Sequence, residues 1–342
     1  NNLFVSAFDD HTTINGYHIL AQDGSDVNIP FMDDKTKTEK HDAKSFCQYH
    51  VNALYDCINK VFYDWSIDAA SKKREVNALI SILKDRNYPQ NSIFTADRGY
   101  ESYNLMAHFI ENDTKFVIRV KDIHTKVGLM TNVRTEEGAF DMRINRTLTS
   151  LQTKEIKADK EKYIFVPSTS NFDFLDENRD FYDLSFRAVR FKISEDTYET
   201  VVTNLSEEEF KTEDFKELYH YRWNEETAFN KLKYTIGLVY FHARKRKLIQ
   251  QEINAAFLMY NVSEVIIRNI DLEKNKKPKL EYDYKPNFSS AVTNIRLYLR
   301  KKINMKELIL RIKKFLVPRR PERSFERNIK GQSCKPLNYR TS

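Results

Sequence analysis

Residues 214–238 constrain this chain more than any other stretch, with FKELYHYRWNEETAFNKLKYTIG at their heart. No proline interrupts them, Thr212 can cap the start with Glu213 and Asp214 in the first turn, and Gly237 is a natural stop. The spacing predicts a single helix. At roughly 100° per residue, Phe215, Leu218, Phe229, Leu232 and Ile236 form one apolar stripe. Lys216, His220, Asn224, Thr227, Lys231 and Thr235 form a solvated face. A third stripe, Tyr219, Arg222, Glu226 and Lys233, falls at the edge of the apolar face. Charges beside a core need partners, because an unpaired buried charge costs several kcal/mol. A structural ion pair between Arg222 and Glu226 at i, i+4 is one explanation, although Arg before Glu is the weaker order. The other is a carboxylate for a metal ion, flanked by phosphate-binding donors.

With 342 residues, two domains are expected. Charged residues make up 31% and aromatics 13%, and no apolar run is long enough to span a bilayer. Cys47, Cys57 and Cys334 fit neither a disulfide framework nor a zinc site, so a reducing cytoplasm is expected. Asn1-Asn2-Leu3 shows no signal-peptide pattern, and a start other than Met reads as a piece of a longer protein. A net charge of +7 is compatible with nucleic acid, and its distribution matters more than its size.

Along the chain, Tyr17 to Asp23 reads as a strand, Gly24-Ser25 as turn material, and DDKTKTEKHDAKS after Pro30 as a polar loop. A hairpin (48–55, 60–67), a helix (72–86), a strand ending in Asp97, a helix (101–111) and a strand (115–120) follow. From 121 to about 205 the helical signal disappears into short β-rich pieces at 163–166, 184–193 and 198–204. Beyond 238 come a basic turn at 242–247, a helix from Leu248 to about Asn269, a linker holding KNKKPK, and helices near 288–302 and 305–316. The expected organisation is residues 1–120 as the first part of a catalytic domain, 121–206 as a β-rich insertion, 207–271 as the second part, and 272–342 as a basic helical C-terminal region.

Asp23 and Asp97 both end strands, where α/β sheets place their chemistry. On parallel neighbouring strands they would lie side by side, and Glu226 would complete a three-carboxylate site. Such a site suits Mg²⁺ or Mn²⁺, two ions serving an in-line displacement at phosphorus. Each aspartate alone is more often a turn or helix cap. Asp9, Asp10 and Asp26 compete with Asp23, and Asp64 lies on the hairpin.

The order strand-Asp, hairpin, helix, strand-Asp, β insertion, helix-Glu resembles the ribonuclease H-like DDE transposases. The local strings resemble the insertion-sequence transposases of family four. Asp23-Gly24-Ser25, Ala96 to Tyr100, the Tyr-x2-Arg-x3-Glu-x6-Lys spacing of Tyr219, Arg222, Glu226 and Lys233, the pair Arg222-Trp223, Phe229 to Lys233 and GLVYFHARK carry the match. The resemblance implies a mixed α/β ribonuclease H-like sheet flanked by helices. It implies Asp23, Asp97 and Glu226 as catalytic metal ligands, and Tyr219, Arg222 and Lys233 gripping the phosphate at a mobile element's end. Basic residues including Arg244, Lys245, Arg319 and Arg320 would contact the backbone of double-stranded DNA. It further implies a bacterial, nucleoid-associated homodimer assembled on element ends and target DNA. Relatives carry a helical end-binding domain before the first catalytic strand, and the sixteen residues before Tyr17 are too few for one. Phe172, Phe174, Phe181 and Tyr182 are candidates to stack a base. A nuclease without strand transfer and an inactive DNA-binding remnant are the rival readings.

Overall fold

The computed structural model describes residues 12–32, 35–40, 43–70, 75–123, 125, 127–195, 197–271, 283–318 and 338–339. In chain order they form β1 (His18–Ile29), β2 (Lys37–Lys40), β3 (Ala43–Asp56), β4 (Val61–Ala69), α1 (Glu75–Asp85), β5 (Ser92–Ala96), α2 (Tyr103–Glu111) and β6 (Lys115–Val120). Next come β7 (Phe140–Thr149), α3 (Lys154–Ala158), β8 (Tyr163–Phe165), β9 (Phe181–Ser194), β10 (Thr197–Thr203), α4 (Asp214–His220) and α5 (Trp223–Asn230). A π-helical segment (Lys231–Ile236), β11 (Tyr240–Phe241), α6 (Arg246–Arg268), β12 (Tyr284–Pro286), α7 (Phe288–Leu299), α8 (Met305–Lys314), β13 (Leu316–Pro318) and β14 (Asn338–Tyr339) complete the set.

The chain divides into two compact units, one of residues 1–25, 50–68 and 72–226, the other of residues 26–49, 69–71 and 227–342. In the first, strands neighbour one another in the order β3-β1-β5-β6-β10-β9-β7-β8, with β4 beside β3. β1, β5 and β6 run parallel, and β10, β9 and β7 continue the sheet antiparallel. This is a mixed α/β fold with a large mixed sheet flanked by helices, as expected. All five residues of β5 are buried, as are Ile19 to Gln22 of β1, the continuous burial expected of parallel strands inside a sheet flanked by helices. α1 contributes Leu79, Ile80 and Leu83 to this core, and α2 contributes Leu105, Met106 and Phe109. The strands of 121–206 extend this same sheet, through the pairing of β10 with β6.

In the second unit the π-helical segment packs on α6, and Lys231 pairs with Glu264 at 2.5 Å. α7 and α8 share a small core of Ala291, Ile295, Leu308 and Ile312 with Ile270. β12 and β13 form an antiparallel pair, and β11 pairs with β14.

Several local expectations change. Gly24-Ser25 is not a turn, since β1 continues to Ile29. The charged stretch after Pro30 contains β2 and the start of β3, paired at Lys37–Cys47 and Thr38–Phe46. Ladder hydrogen bonds outweigh low β-propensity there. The 121–205 region contains the short helix α3, capped by Thr153, and β7, a strand passed over in the sequence although Phe140, Met142, Ile144 and Leu148 alternate with polar residues along it. Arg246 and Lys247 belong to the first turn of α6 rather than to a turn before it. The KNKKPK linker lies outside the described residues.

Candidate active site

β1 and β5 pair in parallel from His18–Ser92 to Ala21–Thr95. Carried on by two residues, the same register sets Asp23, midway along β1, beside Asp97, just past the end of β5. β6 continues the row, because Ala96 pairs with Ile118 and places Arg119 beside Asp97. Asp23 accepts a hydrogen bond from the Gly24 amide at 2.8 Å. Gly24 is required by close packing, since a Cβ there would sit 2.4 Å from His50 Nε2 and 2.7 Å from Glu75 Oε1. His50 is fully buried, with Glu75 at 3.2 Å and Asn52 at 3.1 Å. Asp97 also behaves as a cap, accepting from the Gly99 amide at 2.7 Å at the start of the 3₁₀ turn Arg98–Tyr100.

The expected single helix over 214–238 is three segments. α4 starts without a side-chain cap, and the Thr212 hydroxyl bonds Asp141 instead. At Tyr221-Arg222 the winding tightens: Arg222 N–H donates to Tyr219 O, Asn224 to Tyr221 O and Glu225 to Arg222 O, all three residues back. After Asn230 it loosens into the π-helical segment, which Gly237 ends in the left-handed conformation at φ 98°. The apolar stripe survives, with Phe215, Leu218, Phe229, Leu232 and Ile236 all buried.

Tightening changes which side chains align. At about 100° per residue Glu225 would stand about 240° from Tyr219, whereas at about 120° the two fall on one line. Tyr219, Arg222 and Glu225 are accordingly the buried row, at 2%, 5% and 0% exposure. Glu226 is part-exposed and accepts from Arg222 Nη2 at 3.0 Å, so the structural ion pair is present. Arg222 Nε donates to the Tyr219 hydroxyl at 3.2 Å, and its guanidinium also lies near the Tyr219 and Trp223 rings. Burial opposes its charge, but Tyr219 and Glu226 outweigh it and hold Arg222 above the ordinary guanidinium value. Beside Tyr219, Arg119 pairs with Glu199 at 3.2 Å.

Glu225, which the sequence reading passed over, is the most unusual carboxylate here. Neither of its oxygens has a hydrogen-bond partner, and the nearby Asp23 amide falls short of bonding geometry. Burial, then the Asp23 charge, push its carboxyl well above the usual range. Burial likewise raises Asp23 to about 6, with Asp97 adding to the shift while the Gly24 amide and Arg222 oppose it. The Tyr100 hydroxyl, buried and without a partner, is raised by burial and by the charges of Asp23, Glu75, Glu225 and Asp97. Among the described residues no three His, Cys, Asp or Glu side chains form a ready-made metal cage. The donor chemistry fits a hard divalent cation all the same: oxygen ligands only, mutually repelling, one of them buried and unbonded.

Of the other candidates, Lys233 lies on the π-helical segment of the second unit, past the point where the 3.6-residue count holds. Arg244 and Lys245 are exposed in that unit, and Arg319 and Arg320 lie outside the described residues. Phe172, Phe174 and Tyr182 interlock with ring centroids 5.4–5.8 Å apart beside His108, which explains them as packing. Phe181 alone of the four is exposed.

No curated protein matches the chain. Among solved structures, one of a piggyBac transposase synaptic complex with hairpin DNA is similar, at 10% identity and a TM-score of 0.44. The match covers 90% of this chain and 59% of that one. A family profile described as Transposase DDE domain matches residues 14–262, a span that takes in β1, β5 and the broken helix. The chain belongs to the DDE transposase family.

Proposed function

We propose that this chain is the catalytic region of a metal-dependent transposase of the insertion-sequence type, cutting DNA at mobile-element ends and joining the 3′-hydroxyl to target DNA. The observation that supports this proposal is the parallel pairing of β1 with β5 to Ala21–Thr95, two residues short of Asp23 and Asp97, together with the effect of the Asp97 charge on Asp23. Asp23, Asp97 and Glu226 would hold Mg²⁺ or Mn²⁺, two ions in the fullest form. Divalent cations held there would supply Lewis-acid chemistry for an in-line displacement at phosphorus. Arg222 supplies a guanidinium kept fully charged by Tyr219 and Glu226, suited to gripping a terminal phosphate. Tyr219 orients that guanidinium through its hydroxyl. Lys233 would add a second cation, and Arg244, Lys245, Arg319 and Arg320 would track the phosphate backbone of double-stranded DNA. The working form would be a homodimer on paired ends, in a bacterial cytoplasm at the nucleoid.

Arg222→Ala tests this against a nuclease that only hydrolyses. If Arg222 grips the end, end-DNA binding weakens by about 1.5–3 kcal/mol, the scale of a charge-assisted hydrogen bond. Metal-induced stabilisation then stays near wild type, and end joining falls further than nonspecific nicking. Parallel loss of folding, metal binding and every DNA activity would make the Arg222–Glu226 pair structural and favour the nuclease.

A further inference from the structure

Glu225 poses a problem that its surroundings do not solve. A carboxylate at 0% exposure with both oxygens unbonded costs several kcal/mol if charged and alone. The charged or titratable groups around it are Asp23, Cys57, Tyr100, Arg222 and Glu226. Of these only Arg222 is cationic, and its hydrogen bonds go to Tyr219 and Glu226. Asn224, the preceding side chain, is tied to the Cys57 carbonyl at 3.1 Å, so the start of α5 is held where Glu225 points inward. Tyr100 presents a second buried, unbonded oxygen among the same carboxylates. Unbonded oxygens from two separate elements beside Asp23 are the donor set of a hard cation, short of the cation.

We propose that Glu225 is a ligand of the divalent metal centre, binding the cation together with Asp23 and so adding a fourth carboxylate to Asp23, Asp97 and Glu226. This rests on the metal-dependent reading above. The tight winding before Glu225 is what brings this residue into the buried row of Tyr219 and Arg222, where a regular α period would turn it away. Arg222 stands close enough to Glu225 to ease its charge while no cation is bound.

The experiment is Mn²⁺ titration followed by electron spin resonance, with thermal melting in chelator and in Mn²⁺, on the full chain and on Glu225→Gln, Glu226→Gln and Asp23→Asn. Glu225→Gln should melt no lower than wild type in chelator, because an unbonded carboxylate has been removed. It should bind Mn²⁺ about tenfold or more weaker and lose most of the metal-induced gain in melting temperature. Wild-type Mn²⁺ affinity and gain in Glu225→Gln, with losses in Asp23→Asn or Glu226→Gln, would overturn the role of Glu225 alone. Absence of Mn²⁺ binding in the wild type would overturn the metal-dependent reading itself. Should Glu225→Gln not fold, Glu225→Cys decides: an ultraviolet cadmium–thiolate band above the wild-type background supports direct ligation, and a folded variant without it overturns the proposal. Failure of both to fold in chelator would also overturn it, because the side chain would then be holding the metal-free fold.

Discussion

Two buried arginines of the first unit, Arg187 on β9 and Arg222 before α5, are alike in burial and opposite in satisfaction. Arg187 is 3% exposed and donates from all three nitrogens: Nε and Nη2 go to both oxygens of Asp141, and Nη1 goes to the carbonyls of Ser206 and Phe210. Its guanidinium also lies 5.0 Å from the Phe215 ring on α4. Arg222 is 5% exposed and donates once to a phenol and once to a part-exposed carboxylate, leaving Nη1 without an acceptor among the described residues. The neighbouring acids report the same difference. Asp141 is held below the usual carboxylate range, as the bonds from Arg187 and Thr212 overcome its burial. Asp23 is raised to about 6. A fully paired ion pair is a joint in the scaffold. An incompletely paired guanidinium beside a raised carboxylate is a site with binding capacity left over.

The sharpest way to break this contrast is Arg187→Ala. Removing it strands Asp141 and two carbonyls at the approach to α4, so we expect about 3–5 kcal/mol of lost stability in denaturant unfolding. The Mn²⁺-induced gain per folded molecule should persist. If Arg187→Ala instead folds normally and loses metal binding, the division into joint and site is wrong.

The pH dependence of the metal-free protein comes next in size. Asp23 binds its proton more tightly folded than unfolded, so its contribution is fully present below its unfolded value of 3.8. That contribution is lost as pH rises through about 6. The loss should approach about 3 kcal/mol at most in chelator, and Asp23→Asn should flatten it. Asp141 runs the other way: its contribution is present above the ordinary carboxylate range and is lost as pH falls through its lowered value. Melting in chelator across this range, for wild type and Asp23→Asn, separates the two slopes. Metal affinity should fall as pH drops through about 6, since protons and cations compete for Asp23.

Tyr219→Phe should show the smallest effect. It deletes one hydrogen bond to Arg222 while keeping the ring that packs beneath it, so about 1 kcal/mol is expected in stability and in end-DNA binding. A loss as large as that of Arg187→Ala would mean that the helix row is scaffold after all.

Much of this was legible in the residues alone. Asp97 could be placed because β5 ends where its apolar run ends, whereas Asp23 stands in mid-strand, since β1 runs on through polar residues to Ile29. The apolar stripe from Phe215 to Ile236 and the stop at Gly237 were equally readable, since both are local consequences of helical spacing and glycine stereochemistry. Gly24 was visible but misread: it serves a close approach by His50 and Glu75, residues 26 and 51 positions away that no local pattern connects to it.

By itself, then, the sequence determined the end of β5 just before Asp97, the stop at Gly237, the apolar face of 214–238 and the family. All four depend on composition and spacing within a few turns or strands. Only the tertiary structure decided that Glu225 stands inward while Glu226 bonds Arg222. That choice follows from a helix wound tightly before Asn224 and loosely after Asn230, with Asn224 anchored to the Cys57 carbonyl. A regular period assumed from sequence has no term for that anchor, because its acceptor lies 167 positions away in the turn after β3.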